Sequence, residues 1–216
     1  GTVTPKDRKD WTLIGKPAQR SDIPAKTNGT ARFGLDVRLP DMLYAAVRLS
    51  PILGGTPGEV DAKAALALSG VRKLVPLQAL GGSSAGFAVV GTTTWHARQG
   101  AQAVQVSWQQ RAQGALDSRS IETQLLAAVQ SQAGDTFYEK GSVDKAEAAA
   151  SRIVEANYRA PYLAHATMEP MNCTAQVKDG KVQVWAPTQV PQMARAAAAK
   201  TAGVDIESVT LHVTLL

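Results

Sequence analysis

The sequence predicts an α+β fold, and three features carry that prediction. Short apolar or alternating runs recur along the chain, bounded by Gly, Pro or Ser, which is how strands read. Between some of them lie patterns with apolar residues three and four apart, the signature of a helix with one packed face. Two strand patterns follow one another directly within the first half, so strands and helices do not simply alternate as they do in a doubly wound parallel sheet.

Residues 1–32 read as an extended N-terminal arm, punctuated by Pro5, Gly15, Pro17, Pro24 and the turn signal Asn28-Gly29. Residues 42–49 form an apolar strand that ends at Ser50-Pro51 and Gly54-Gly55. In residues 59–68, Val60, Ala64, Ala65 and Leu68 fit a helical face, and Ser69-Gly70 closes it. Residues 71–76 are a second strand stopped by Pro76, Gly81-Gly82-Ser83-Ser84 is a loop, and residues 87–90 are a third strand. Thr92 or Thr93 caps a helix through Trp95, Ala97 and Ala101, because a threonine oxygen accepts from the free amides of a first turn. Residues 103–108 alternate with period two as a fourth strand. The order β-α-β-β-α-β over residues 40–110 makes one compact unit.

Residues 109–141 are polar and glutamine-rich around one helix, residues 118–129, with Ile121, Leu125, Leu126 and Val129 on one face and Ser118 as its cap. Ala133-Gly134-Asp135 ends that stretch, and Ser142 caps a short alanine-rich helix over residues 143–150. Residues 153–158 alternate as a strand. Residues 173–177 and 182–185 read as a hairpin around Asp179-Gly180, a pair suited to the positive φ of a tight turn. A helix over residues 190–202 tolerates Pro191 in its first turn and stops at Gly203. A last strand runs from Val209 to Leu216 without a polar exit, from which the chain is expected to be part of a longer one.

Composition excludes several classes of function. With 44% hydrophobic and 19% charged residues among 216, intrinsic disorder is not expected. The net charge of +5 is dispersed, and its densest patch, Lys6-Asp7-Arg8-Lys9, is interrupted by an acid. No basic stripe with interleaved aromatics marks a nucleic-acid partner. No apolar run reaches the roughly 18–20 residues of a membrane helix. The single Cys173 excludes an internal disulfide framework and a cysteine-rich zinc or iron–sulfur site.

Chemistry-bearing residues gather in one stretch, Tyr162-Leu163-Ala164-His165-Ala166-Thr167-Met168-Glu169-Pro170-Met171-Asn172-Cys173-Thr174. It sets an imidazole, a carboxylate, an amide and a thiol between two strand patterns, where a loop can present polar groups without breaking a ladder. His165 and Glu169 are placed to orient each other or a ligand. The alternative is a turn whose polar side chains satisfy stray backbone groups. No metal site is expected: His165, Glu169 and Cys173 would align only on a helix, which Pro170 opposes. There is no Gly-x-Ser-x-Gly elbow and no Gly-Lys-Ser/Thr phosphate loop. His96 reads as structural or surface, His212 as core or interface, and Cys173 as an inert small hydrophobe with nothing basic beside it.

Three stretches resemble one known family. The first comprises Ile14-Gly15-Lys16-Pro17, Arg20, Asp22, Gly29-Thr30-Ala31-Arg32-Phe33-Gly34-Leu35-Asp36, and Leu43-Tyr44-Ala45 to Ser50-Pro51. The second runs from Phe87-Ala88-Val89-Val90-Gly91 through Trp95-His96-Ala97 to Val106-Ser107-Trp108. The third and most specific is His165-Ala166-Thr167-Met168-Glu169-Pro170-Met171-Asn172-Cys173-Thr174-Ala175, followed by Val184-Trp185-Ala186-Pro187-Thr188-Gln189. Together they resemble the molybdenum hydroxylases, the xanthine dehydrogenase and aldehyde oxidase superfamily. The closest likeness is to the large, molybdopterin-binding subunit of isoquinoline oxidoreductase-like enzymes.

The resemblance implies an arm at 1–32, an α/β hammerhead domain at 33–110, a helical connector at 111–150 and the truncated start of a molybdopterin-binding α+β domain at 151–216. It implies hydroxylation of N-heterocycles or oxidation of aldehydes with water-derived oxygen, and electron transfer to a small iron–sulfur partner subunit. The molybdenum–molybdopterin cofactor would belong to the full-length protein and not to this fragment, because the family's glycine-rich cofactor segment and catalytic glutamate lie downstream. No catalytic residue is therefore assigned, and His165 and Glu169, which match a His-x-x-x-Glu pattern, are offered as supporting residues of the cofactor region. The isolated fragment is expected to be inactive. Bacterial periplasm or membrane association is implied by relatives with twin-arginine signals, with the cytoplasm as the alternative. The rival reading is a stand-alone small-molecule or protein binding module with a hammerhead-like fold.

Overall fold

A computed structural model describes residues 3–131 and 134–215. Gly1 and Thr2 of the expected arm, Ala133 of the expected helix stop and Leu216 of the expected last strand lie outside the described residues. The helices are α1 (Ile23–Thr27), α2 (Lys63–Leu66), α3 (Thr94–Ala103), α4 (Ser118–Gln130), α5 (Val143–Ala149) and α6 (Pro191–Ala202). The strands are β1 (Tyr44–Leu49), β2 (Thr56–Asp61), β3 (Val71–Leu77), β4 (Gly86–Gly91), β5 (Gln105–Gln109), β6 (Thr174–Lys178), β7 (Lys181–Ala186) and β8 (Val209–Val213). The fold is α+β, and the chain divides into two compact units, Pro40–Leu163 and a second built from Gly1–Leu39 with Ala164–Leu216.

In the unit Pro40–Leu163, an antiparallel sheet has the order β1-β4-β3, and β2 pairs with β5. The apolar run of β4 is buried along almost its whole length, as a central strand covered on both sides must be. Phe87, Val89, Ala65, Ala101 and Val104 form the core. α3 lies close on the sheet because Gly100 has no side chain: a Cβ there would stand 2.7 Å from Val89 Cγ1 and 2.9 Å from Val71 Cγ2. Thr93 caps α3 by accepting from the His96 N–H at 3.1 Å, while the Thr92 hydroxyl pairs with His96 Nδ1 at 2.9 Å. His96 is thus structural. Arg48, on β1, donates to the carbonyls of Ala101 (2.8 Å) and Val104 (3.2 Å) at the end of α3, and its guanidinium lies 5.4 Å from the Phe87 ring centre.

Three expectations for this unit are corrected. Residues 59–68 are not one helix: Glu59 to Asp61 belong to β2, and only α2 is helical. Val60 does reach the core, but across a strand, because it pairs with Val106 of β5. Gly58 sits at the register shift between Pro57 and Val60, where a missing side chain eases a bulge. The order is therefore β-β-α-β-β-α-β. Residues 153–158 are also not in a ladder; alternation gives strand propensity, but no partner strand lies against them among the described residues. The cap of α4 falls one residue earlier than expected, with Asp117 accepting the Ser120 N–H at 2.7 Å.

In the second unit, β6 and β7 form an antiparallel hairpin around Asp179 (φ 51°) and Gly180 (φ 71°), the two positive φ values expected of that turn. β7 continues through α6 into the parallel strand β8. Gly203 closes α6 in the left-handed conformation at φ 68°. Val182, Val184, Ala199 and Val209 make a small core in which alanines let α6 approach the sheet. Arg195 of α6 donates to the carbonyls of Ile206 (2.9 Å) and Val209 (3.2 Å), fixing the start of β8. Phe33 forms an isolated parallel bridge with Leu215.

Candidate functional site

The second unit brings the loop before β6 against a tight 3-10 turn at Gly34–Asp36. Asp36 Oδ2 accepts the Phe33 N–H at 2.9 Å and closes the turn on itself. Leu35 N–H donates instead to Glu169 Oε1 at 3.0 Å. Asn172 Nδ2 donates to the same Glu169 oxygen at 3.0 Å and to the Pro170 carbonyl at 2.9 Å. The Thr167 hydroxyl donates to the Glu169 carbonyl at 2.7 Å, and Ala166 takes a positive φ of 43° ahead of it. One carboxylate oxygen thus ties two backbone segments 134 positions apart.

The arrangement leaves two acceptors unpaired. Glu169 Oε2 and Asn172 Oδ1 are shielded from solvent and have no hydrogen-bond partner. Gly34 is buried directly against the Asn172 side chain. Beside the same turn, an open cavity of about 350 Å³ is lined by Arg32, Asp36, Arg38, Trp185 and Thr214, and Thr214 Oγ1 is likewise buried without a partner. Trp185 stacks on His212 with ring centres 4.8 Å apart, and His212 Nε2 meets Gln183 Oε1 at 3.2 Å.

The structure separates the two residues singled out in the sequence. Glu169 is the centre of the loop's hydrogen bonds, whereas His165 is exposed and makes no hydrogen bond or ion pair among the described residues, so the two do not orient each other. Cys173 is exposed rather than packed as a small hydrophobe, and loss of hydration at its sulfur holds the thiol above its ordinary range, so it stays protonated. Sequence reasoning counted the Asn172 amide among the loop's polar groups without giving it a role, and did not single out Gly34 or the Leu35 amide as part of the site. The signal for Asn172 was its place two residues beyond Pro170, where an amide can bond back to the loop's own carbonyl. No local signal links Leu35 to Glu169.

Among the described residues no group of three or more His, Cys, Asp or Glu side chains could hold a metal ion. None of the described helices is long and apolar enough to cross a membrane. Molybdopterin presents ring N–H donors and a phosphate. The unpaired Glu169 Oε2 and Asn172 Oδ1 are acceptors, which do not fit a phosphate and match only N–H donors, while the Asn172 Nδ2 is already committed within the loop; shielded as they are, both side chains fit the shaping of the loop.

Residues 129–216 match the family model of the molybdopterin cofactor-binding domain. The chain is 29% identical to the beta subunit of isoquinoline 1-oxidoreductase from Brevundimonas diminuta, over 100% of this chain and 28% of that protein. It is 31% identical to a nicotinate dehydrogenase subunit of Pseudomonas putida, over 87% of this chain and 16% of that protein. The fold superposes on quinoline 2-oxidoreductase from Pseudomonas putida 86 with a TM-score of 0.65 and 20% identity, covering 93% of this chain and 30% of that one. The chain thus spans less than a third of the length of these relatives.

Proposed function

We propose that the chain belongs to the molybdenum hydroxylase superfamily and is a portion of the molybdopterin-binding subunit of an oxidoreductase that hydroxylates N-heterocycles or oxidises aldehydes. The observation that carries this reading is the match of residues 129–216 to the cofactor-binding domain, which contains the loop centred on Glu169. When bound, the cofactor supplies the redox chemistry by which a substrate carbon gains oxygen from water. In this reading the electrons pass to a small iron–sulfur subunit, and the single cysteine of these 216 residues is in keeping with clusters held elsewhere.

The part played by these residues is scaffolding. By the sequence bounds residues 33–110 are the hammerhead, 1–32 an arm, 111–150 a connector and 151–216 the opening of the cofactor domain; the family match from residue 129 also takes in the end of that connector, and the compact units differ from these bounds in grouping residues 33–39 with 164–216 and residues 151–163 with 40–150. Glu169 is a positioning residue that fixes the loop to the Phe33–Asp36 turn, with His165 exposed near its start. The fragment alone carries no catalytic residue and has no activity of its own. The test is to purify the full-length subunit with its partner, measure molybdenum, and assay isoquinoline, nicotinate and simple aldehydes. About one molybdenum per chain with turnover of one of these classes is expected. Fully folded protein without molybdenum overturns the reading.

A further inference from the structure

We propose that the cavity between residues 32–39 and the ends of β7 and β8 is a binding site for a small carboxylate carried on an aromatic ring. The site goes beyond the cofactor reading, since every residue in it belongs to this chain and to one compact unit. β7 and β8 run parallel, with Trp185 opposite His212 and Ala186 opposite Val213. Trp185 near the end of one strand and Thr214 just past the end of the other therefore come to the same end of the sheet. Residues 32–39 close the other side, and the bridge from Phe33 to Leu215 holds them there.

Three observations set the chemistry of the ligand. The first is the Thr214 hydroxyl, which is shielded from solvent and has no hydrogen-bond partner. Buried hydroxyls are nearly always paired, so this one calls for a partner in the cavity it lines. The second is charge. The Arg32 side chain makes no hydrogen bond or ion pair among the described residues. Arg38 commits only Nη1, to the carbonyls of Leu35 at 2.6 Å and Val37 at 2.8 Å, which fixes its guanidinium and leaves the other N–H donors for a ligand. Asp36 is the one acid of the lining, and its Oδ2 already accepts the Phe33 N–H. Cations exceed anions, and a planar carboxylate matches the fork of an arginine. The third is the apolar wall of Val37, Leu39 and Trp185, the last held in place by its stack on His212. A phosphate wants donors on every side and gains nothing from such a wall, whereas an aromatic ring packs on it. A volume of about 350 Å³ suits one ring with its carboxylate.

The experiment is a calorimetric titration of the full-length subunit with its partner, using benzoate and its neutral isostere benzamide, with molybdenum measured on the same preparation. A crystal structure with 4-bromobenzoate then locates the bromine by anomalous scattering. Benzoate is expected to bind in the cavity, and benzamide about tenfold or more weaker, because the charge-assisted bonds to arginine are lost. Arg32→Gln should weaken benzoate to a similar degree, and Arg32 has no bond in the described structure whose loss would disturb the fold. Thr214→Val should also weaken benzoate, by about threefold to tenfold, yet raise the unfolding midpoint of the ligand-free protein, since it deletes a buried unpaired hydroxyl. A merely structural hydroxyl would instead lower that midpoint and leave binding unchanged. Absence of benzoate binding, equal affinity for benzoate and benzamide, indifference to Arg32→Gln, or bromine found elsewhere overturns the site. So does a map in which a cofactor phosphate or another part of the subunit fills the cavity. The outcomes also separate the site from the functional reading. Molybdenum-replete protein that does not bind benzoate here refutes the site alone, and binding here by folded protein lacking molybdenum refutes the function alone.

Discussion

Gly34 and Asn172 occupy adjoining space so closely that a Cβ at residue 34 would stand 3.0 Å from Asn172 Cγ and collide with its Oδ1. The amide is not free to swing away, because its Nδ2 is committed to Glu169 and to the Pro170 carbonyl. Gly34→Ala must therefore break one of those bonds or shift the turn, at a cost of about 1–3 kcal/mol. Asn172→Ala removes the obstacle, so the double variant should lose less than the sum of the single losses. Thermal or denaturant unfolding of the full-length subunit measures this coupling. Additive losses would mean the two residues do not share the space.

Glu169→Ala and Glu169→Gln should separate packing from hydrogen bonding. Alanine leaves the Leu35 N–H and the Asn172 amide without their acceptor, at about 1–3 kcal/mol. Glutamine keeps an oxygen at the Oε1 position and removes a charge whose second oxygen has no partner, so its loss should be smaller. Equal losses would show that the carboxylate charge, and not the acceptor at Oε1, holds the loop.

What could be read in the sequence was local. The hairpin at Asp179-Gly180, the Gly203 stop, the Thr93 and Ser142 caps and the apolar run of β4 each depend on residues a few positions apart, and all are present. β2 was missed because Val60 fits a helical face as well as a strand face; only pairing with Val106, far along the chain, decides between them. The loop from His165 to Thr174 stood out by its residue types, and Glu169 proved central to it. Its contact to Leu35, and the contact of Arg48 with the end of α3, arise from tertiary folding and leave no periodic trace.

Asp22 carries a pH prediction. Arg20 grips its carboxylate with two hydrogen bonds, at 3.0 and 2.6 Å, and Lys26 approaches to 2.9 Å. These cations, the Arg20 hydrogen bonds first, hold the carboxyl well below the ordinary carboxylate range, and Asp22 reciprocally raises the Arg20 guanidinium. For a depressed carboxylate the stabilisation is complete above the unfolded value of about 4 and is lost as pH falls through the lower folded value. The contacts at the start of α1 should therefore persist from pH 7 to about 4 and loosen only in stronger acid. An NMR titration of the Asp22 carboxyl reads this directly. Arg20→Ala should move its midpoint up, and high salt should do the same to a smaller degree because the pair is solvent-facing. A midpoint at the ordinary value in the unaltered protein would refute the grip.

Gly100→Ala sets two effects of opposite sign against each other within α3. Alanine is the better helix former by about 1 kcal/mol. At this position, though, its methyl would sit 2.7 Å from Val89 Cγ1 and 2.9 Å from Val71 Cγ2, and Val89 is wholly buried in the core. Neither valine can retreat without a rotamer change in a packed layer, which costs about 1–3 kcal/mol. Packing wins, and the substitution is expected to destabilise the Pro40–Leu163 unit. Combining Gly100→Ala with Val89→Ala tests the cause, since removing the Val89 methyls opens the space that the new one needs. In that background the glycine replacement should cost much less, or become stabilising, when each pair is compared by equilibrium unfolding. If Gly100→Ala is equally costly with and without the Val89→Ala change, the glycine is there for a reason other than the close approach of helix and sheet.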